Sequence, residues 1–573
     1  MKTQFLCLLL ALACLPSLRA QALKDPGFET PGPALVSASD APSGKAQIRG
    51  TVAEGWEDNT NWADVKIAYS LDSAGPHGGR LSQRIEVGRG FAQFVQPVRF
   101  TPGRYRVSLW MRAEPAQWVS LGLREAGGSY TGYASAPAKV GTRWTLVAAE
   151  GVTPAVAGVV IVNTSGVGTL WLDDASLSRP APGSQAQTLS PPKGIIPSAF
   201  FGLNANHMHD APGYPWPALG FGSFRTWDSG VIWPSVEPQR GMYHWEELDK
   251  DVAEAERHGV NFLFTLGLTP PWAAPKGPNT YAGTSAPPDD LQDRRDFVRA
   301  VATRYRGRIA AYEVWNEPDL TQFYSGTPAQ LAALERVTAE AVHQADPAAA
   351  VVAPPPSGGA GVGQLKWYDD YLAAGGGRYA DVLAVHSYSN PPEGDAEVVR
   401  AYHALLAAHG LRGKPLWNTE TGMELKGHTE TDAGAYLARE FITDWAAGLG
   451  RMYFYAYDNG LYFGLDRETP DGRNRNPAVL APSGIAYEQV EGWLTGARML
   501  SCASDAHGTW ACALLRPGGR RAWIVWNTDG ARTFSVPKSW GVRRVRGLAG
   551  DTQNFDAALT LATISASPVL LEP

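Results

Sequence analysis

Cysteine is scarce in this chain. Only four occur among 573 residues, and Cys7 and Cys14 both lie near the N-terminus. The other two, Cys502 and Cys512, have no further cysteine or clustered histidine beside them, which argues against a zinc site. Blocks of Lys or Arg are missing as well, and the net charge is −6 with a pI near 6.0. A nucleic-acid partner would need a basic footprint, so that class is excluded. Long apolar runs are limited to one. Phe5 to Leu15 follows Lys2 and precedes the small residues of Leu18-Arg19-Ala20-Gln21-Ala22. This is the pattern of a secretory signal over residues 1–20, too short to span a membrane, with cleavage after Ala20 or Ala22. The expected location is secreted or periplasmic. Ala11-Leu12-Ala13 before Cys14 is a poor lipoprotein box, so anchoring at Cys14 is the lesser alternative. In an exported chain, Cys502 and Cys512, with Asp505, His507 and Gly508 between them, read as a disulfide across a β-hairpin, against a pair of buried thiols.

What is abundant is aromatic surface, with 20 Trp and 21 Tyr. Flat rings suit the apolar faces of sugars, although most of them fill the core of a large β-rich protein. A chain of this length holds two or three domains. Residues 23–178 run in short alternating segments between Gly and Pro turns, among them 81–87, 105–110, 144–147 and 158–162. Such spacing argues for a sandwich or jelly roll. Residues 179–197 are Pro-rich and low in hydrophobics, as an inter-domain linker is.

From 198 to 494 the pattern changes to strands alternating with helices. Strands are expected at 200–204, 223–227, 262–267, 311–316, 350–353, 382–387, 415–419 and 452–457. Helices are expected at 245–258, 290–305, 328–345, 397–409 and 433–447. In the third of these, Leu331, Leu334, Val337 and Ala341 recur at the spacing of one helix face. Eight strands with helical crossovers fit a (β/α)8 TIM barrel. Residues 495–573 return to β segments and read as a small C-terminal β-sandwich.

Two glutamates end two of the barrel strands. One lies in Tyr312-Glu313-Val314-Trp315-Asn316-Glu317-Pro318-Asp319, the other in Pro415-Leu416-Trp417-Asn418-Thr419-Glu420-Thr421-Gly422. On the strand count, Glu317 ends the fourth strand and Glu420 the seventh, so both reach the C-terminal rim where barrel active sites lie. A single Glu after a strand is usually a solvated loop residue. Two carboxylates aimed into one cleft are what glycosidic bond cleavage needs. Asn316 beside the first can hydrogen-bond a substrate hydroxyl, and Pro318 stiffens the turn that aims Glu317.

These motifs resemble clan A glycoside hydrolases, in which an Asn-Glu pair ends the fourth strand and a lone Glu the seventh. Within the clan the similarity is to glycoside hydrolase family 39 and family-39-like bacterial proteins, over the barrel and the C-terminal sandwich. The resemblance implies Glu317 as acid/base, Glu420 as nucleophile and Asn316 as a contact to the sugar 2-hydroxyl. Arg225, in Phe224-Arg225-Thr226-Trp227-Asp228, matches the Arg beneath the nucleophile, where its charge would keep Glu420 ionised. His386 and Tyr388 match the sixth-strand pair near the nucleophile. Tyr457 stands where many clan members place a Trp under the bound sugar. His207, His209, Trp227, Asp228, Trp233, Trp272 and Trp315 are further rim candidates, with packing as the alternative for each.

The N-terminal segment, opening on Asp25-Pro26-Gly27-Phe28-Glu29 and closing on Leu170-Trp171-Leu172-Asp173-Asp174-Ala175, resembles jelly-roll carbohydrate-binding modules. In those, the first and last strands lie side by side and often share a structural calcium, so Glu29 and Asp174 would be its ligands. A plain packing module without glycan affinity is the alternative. The combined expectation is a secreted retaining glycosidase on poly- or oligosaccharides that needs no cofactor for catalysis. Two alternatives are a non-catalytic glycan-binding surface protein on a decayed barrel and a transglycosylase of the same clan.

Overall fold

The computed structural model describes residues 22–36, 45–128, 130–180, 186–209, 215–424, 428–459, 462–468, 475–556 and 560–573. The segment expected as a signal, 1–20, with Cys7 and Cys14, lies outside the described residues. The chain divides into two units, Met1–Pro180 and Ala181–Pro573.

The first unit is two β-sheets face to face, one of seven strands and one of five. Alternation along each strand turns one row of side chains inward. Val107, Leu109, Met111, Leu170 and Leu172 from the larger sheet meet Phe94, Leu121, Leu123, Val160 and Val162 from the smaller in one core. The opening and closing strands do not lie side by side. The strand Pro31–Val36 is at the edge of its sheet, with three strands between it and Gly168–Ser178. The preceding turn makes the connection instead. Asp25 and Phe28 adopt left-handed backbones, Phe28 is buried against Trp56, and the Ala175 N–H donates to the Pro26 carbonyl.

The second unit is built on eight parallel strands. They are β1 (Phe201–Asn204), β2 (Ser223–Thr226), β3 (Asn261–Thr265), β4 (Ala311–Glu313), β5 (Ala350–Val352), β6 (Leu383–His386), β7 (Leu416–Thr421) and β8 (Met452–Phe454). Their order, β5-β4-β3-β2-β1-β8-β7-β6, comes round nearly to closure, and a parallel bridge between Val352 and Val382 joins the two ends. Every residue of β1, β2 and β7 is buried, as strands covered on both faces require. β2 to β8 are followed in turn by α1 (Glu246–His258), α2 (Leu291–Arg304), α3 (Pro328–Ala345), α4 (Val362–Ala373), α5 (Asp395–Ala408), α6 (Glu430–Ala447) and α7 (Pro482–Leu494).

Local chemistry sets the helix limits. Thr327 and Gln330 form a reciprocal capping box ahead of Pro328 at the first helical position. Left-handed Gly259 and Gly448 end α1 and α6. Among the described residues no helix is long and apolar enough to cross a membrane.

The C-terminal residues pair as a seven-stranded sheet and a separate two-stranded one. Cys502 and Cys512 face each other across the hairpin of Arg498–Ser504 and Thr509–Arg516 and are disulfide-bonded. Closing so short a loop stabilises by roughly 2–4 kcal/mol. The stretch expected as a linker contributes to this sheet. Thr188–Leu189 pairs with Ala503 and Cys502, and Ile196 exchanges backbone bonds with Gly496 and Ala497. The physical reason is the open edge of Arg498–Ser504, whose unpaired N–H and C=O groups need partners.

Candidate active site

The rim at the C-terminal ends of β2, β4, β6 and β7 brings six of the residues singled out in the sequence into one network. Arg225, on β2, points inward and is fully buried. Its Nη1 donates to Glu420 Oε2 at 2.9 Å and to Asn204 Oδ1 at 3.2 Å. Its Nη2 donates to Asn316 Oδ1 at 2.6 Å. Nε and Nη2 both reach Glu313 Oε2, at 2.8 and 2.7 Å. Arg225 is thus both the cation at Glu420 and the ion-pair partner of a buried carboxylate on β4. The remaining oxygen of Glu420, Oε1, accepts the Tyr388 hydroxyl at 2.7 Å. His386 Nδ1 lies 2.8 Å from Glu317 Oε1 and 3.8 Å from Glu420 Oε1. One donor atom from each of Glu317, His386 and Glu420 falls within 4.8 Å of the others.

Electrostatics separates the two acids by their partners. Burial first, and then the negative charge of Asp319, push the Glu317 carboxyl up to about 8, against the opposing pull of Arg225. Burial also raises Glu420, but Arg225 and the Tyr388 hydroxyl both favour its charged form. The outcome differs from a simple lowering by Arg225, because a fully buried carboxylate loses water before it gains the guanidinium. Burial holds the His386 ring down at about 4, so it stays neutral between the two acids. Glu317 sits on a left-handed backbone, φ 41°. Strained conformations of this kind persist where the surrounding structure over-determines them, and cluster at functional sites.

Apart from Asp228, which stays at the rim on Tyr455 and Tyr281, the other candidates lie outside this network. His209 pairs with Glu247 and, at 3.0 Å, with Asp251 on α1. Trp227 is buried against Gly267 and Phe323. Trp272 donates to the Glu237 carbonyl and stands edge-on to Trp233. Trp233 stacks on Phe297, and Trp315 is buried with its Nε1 on the Phe323 carbonyl. The backbone N–H of His207 donates to Asp458. Tyr457 is buried, and its hydroxyl accepts the Ala218 N–H. Tyr455, two residues earlier, faces the rim instead: its hydroxyl donates to Asp228 Oδ2 at 2.8 Å and accepts from Asn206 Nδ2 at 2.9 Å. β8 ends at Phe454, so strand alternation does not govern which tyrosine turns inward. Glu313, Asn204, Tyr281 and Tyr455 were not anticipated. Only Glu313 left a signal, as a charged residue inside an otherwise apolar strand.

Residues 289–486 match the family model described as glycosyl hydrolase catalytic core. This segment includes both glutamates, His386 and Tyr388. The segment that carries β4 to β8 is similar to a glycosyl hydrolase catalytic core. A β-xylosidase of Geobacillus stearothermophilus is 28% identical over 233 residues, 35% of this chain and 45% of that protein. The chain therefore spans under half the length of this relative. A family 39 glycoside hydrolase from the gut symbiont Bacteroides cellulosilyticus WH2 superposes with a TM-score of 0.53 at 18% identity, covering 80% of this chain and 95% of that one. The shared fold is that of a family 39 glycoside hydrolase.

Proposed function

We propose that this chain is a retaining glycoside hydrolase, with Glu420 as nucleophile and Glu317 as acid/base. The observation that carries the reading is the approach of the two carboxylates, with an oxygen of each inside 4.8 Å. Retention uses carboxyl groups about 5–5.5 Å apart, whereas inversion needs roughly 6.5–9.5 Å to admit a water. In this reading Glu420, oriented by Arg225 and Tyr388, attacks the anomeric carbon. Glu317, protonated through neutral pH, delivers its proton to the leaving oxygen and then takes one from water. Asn316, its Oδ1 held by Arg225, presents its amide N–H2 to a sugar hydroxyl.

A β-xyloside is the first substrate to test, since a relative bears that name. Proton NMR during hydrolysis of an aryl β-xyloside should show the β-anomer of xylose forming first. The α-anomer first would rule out retention. Inertness towards a broad panel of aryl glycosides and polysaccharides would favour the non-catalytic glycan-binding alternative.

For the first unit, the proposal is a jelly-roll carbohydrate-binding module with structural calcium at Glu29 and Asp174. Its support is that both carboxylates converge on the Gly78–Gly79 backbone, where a Cβ at either glycine would collide with them. Glu29 Oε1 there accepts the Arg80 and Leu81 N–H groups, and Asp174 Oδ2 meets His77. The ion's role would be to neutralise these acids and fasten the loop. Adding calcium to chelator-treated protein should raise the melting temperature, and the rise should vanish in Glu29→Gln. An unchanged melting temperature with calcium would count against the site.

A further inference from the structure

Asp228 lies at this rim with its side chain exposed rather than buried. It follows β2 on a left-handed backbone, φ 57°, and with Glu317 it is one of two non-glycine residues at the rim held in that conformation among the described residues. Its two oxygens are engaged separately. Oδ2 accepts the Tyr455 hydroxyl at 2.8 Å, and Oδ1 accepts the Tyr281 hydroxyl at 2.9 Å. Tyr455 is fixed in turn by Asn206 and Asn459. Tyr281 comes from the loop between β3 and α2, which is folded back on itself through Thr269 and Thr284, and it is 63% exposed. Asp228 lies within electrostatic reach of Glu317, and both of its tyrosines lie within reach of Glu420. This places the carboxylate over the same mouth as the catalytic pair.

A carboxylate oxygen has two acceptor positions. With one tyrosine on each oxygen, Asp228 retains a place on each for a second donor. Two donors on adjacent atoms are what a vicinal diol of a sugar ring offers, and hydrogen bonds to an ionised acceptor are about twice as strong as neutral ones. The surroundings also set a sign. Glu313, Asp319 and Asp228 flank the pair, while the nitrogens of Arg225 are already shared among Glu313, Glu420, Asn204 and Asn316. A second anion at this mouth would face like charge and be disfavoured.

Resting on the glycosidase reading of the same cleft, we propose that Asp228 determines specificity: it binds the hydroxyls of a neutral glycosyl residue and turns away uronic acids.

The test compares methyl β-D-xylopyranoside with methyl β-D-glucuronopyranoside, which differs by a carboxylate on C5. Binding of each to the full chain and to its Asp228→Asn variant is measured by calorimetry or ligand-observed NMR. Asn tolerates the left-handed backbone and keeps the side-chain volume, and circular dichroism verifies the fold. The wild type should bind the xyloside about tenfold or more tighter than the glucuronide. In Asp228→Asn the xyloside should weaken by about tenfold or more, the loss of a charge-assisted bond, and the gap between the two ligands should narrow. Unchanged xyloside affinity in the variant, no xyloside binding at all, or equal affinity of the wild type for both ligands would overturn the proposal. Because affinity is read separately from turnover, a chain that binds in this pattern but does not hydrolyse would sink the catalytic reading and leave this one standing.

Discussion

Glu420→Gln should leave the chain folded and remove nearly all hydrolysis. The substitution keeps the volume of the side chain and keeps an oxygen for Arg225, which also retains its two bonds to Glu313. No buried charge is stranded, so the large penalty for breaking a buried pair does not apply. What disappears is the nucleophile. A neutral amide cannot form the glycosyl-enzyme intermediate, and loss of a covalent nucleophile costs about four orders of magnitude or more in kcat. The measurement is kcat/KM on an aryl glycoside together with a thermal melt. Activity within tenfold of wild type in a folded variant would remove Glu420 from the role.

Glu317→Ala should separate substrates by leaving group. Protonation contributes about 10²–10⁴-fold where the departing oxygen is a poor leaving group, and little where the aglycone leaves as a stable phenolate. The variant should therefore lose natural glycosides far more than nitrophenyl glycosides. The pH profile supplies a second readout. A general acid acts only while protonated, and Glu317 is pushed up to about 8 by burial and by Asp319. Activity of the wild type on natural glycosides should hold through neutral pH and fall as pH rises through about 8. That basic limb should be absent from the variant's residual activity. Equal losses on both substrate types, or a basic limb that survives the substitution, would reassign the acid.

Much of the barrel was legible because its signals are local. The helix expected at 328–345 matches the observed one at both ends, since a capping box and a proline mark its start and one apolar stripe runs its length. Strands were displaced by one to three residues, mostly at their C-terminal ends, where the chain leaves the sheet to form the rim. The helix Val362–Ala373 went unseen among glycines, although Leu365, Tyr368 and Leu372 form its buried face. Rim residues were harder to read than strands. Trp227, Trp233 and Trp315 sit at rim positions in the sequence but are buried, because a large ring at a strand end packs inward when neighbouring loops close over it. His209 was drawn away by Asp251, a buried carboxylate on α1, beyond β2.

By itself, the sequence determined that eight apolar strands alternate with helices and that two of those strands end in Glu317 and Glu420. Strand and helix periodicity, caps and turn residues act over a few positions, so one dimension suffices to see them. Only the tertiary structure decided which residues face the pair. It set Arg225 between Glu420 and Glu313, turned Tyr455 rather than Tyr457 to the rim, and hung two tyrosines on Asp228. Those contacts join residues tens to hundreds of positions apart, and their geometry depends on strand register and barrel closure. Registers are fixed by packing across the whole sheet, which no local stretch of the chain encodes.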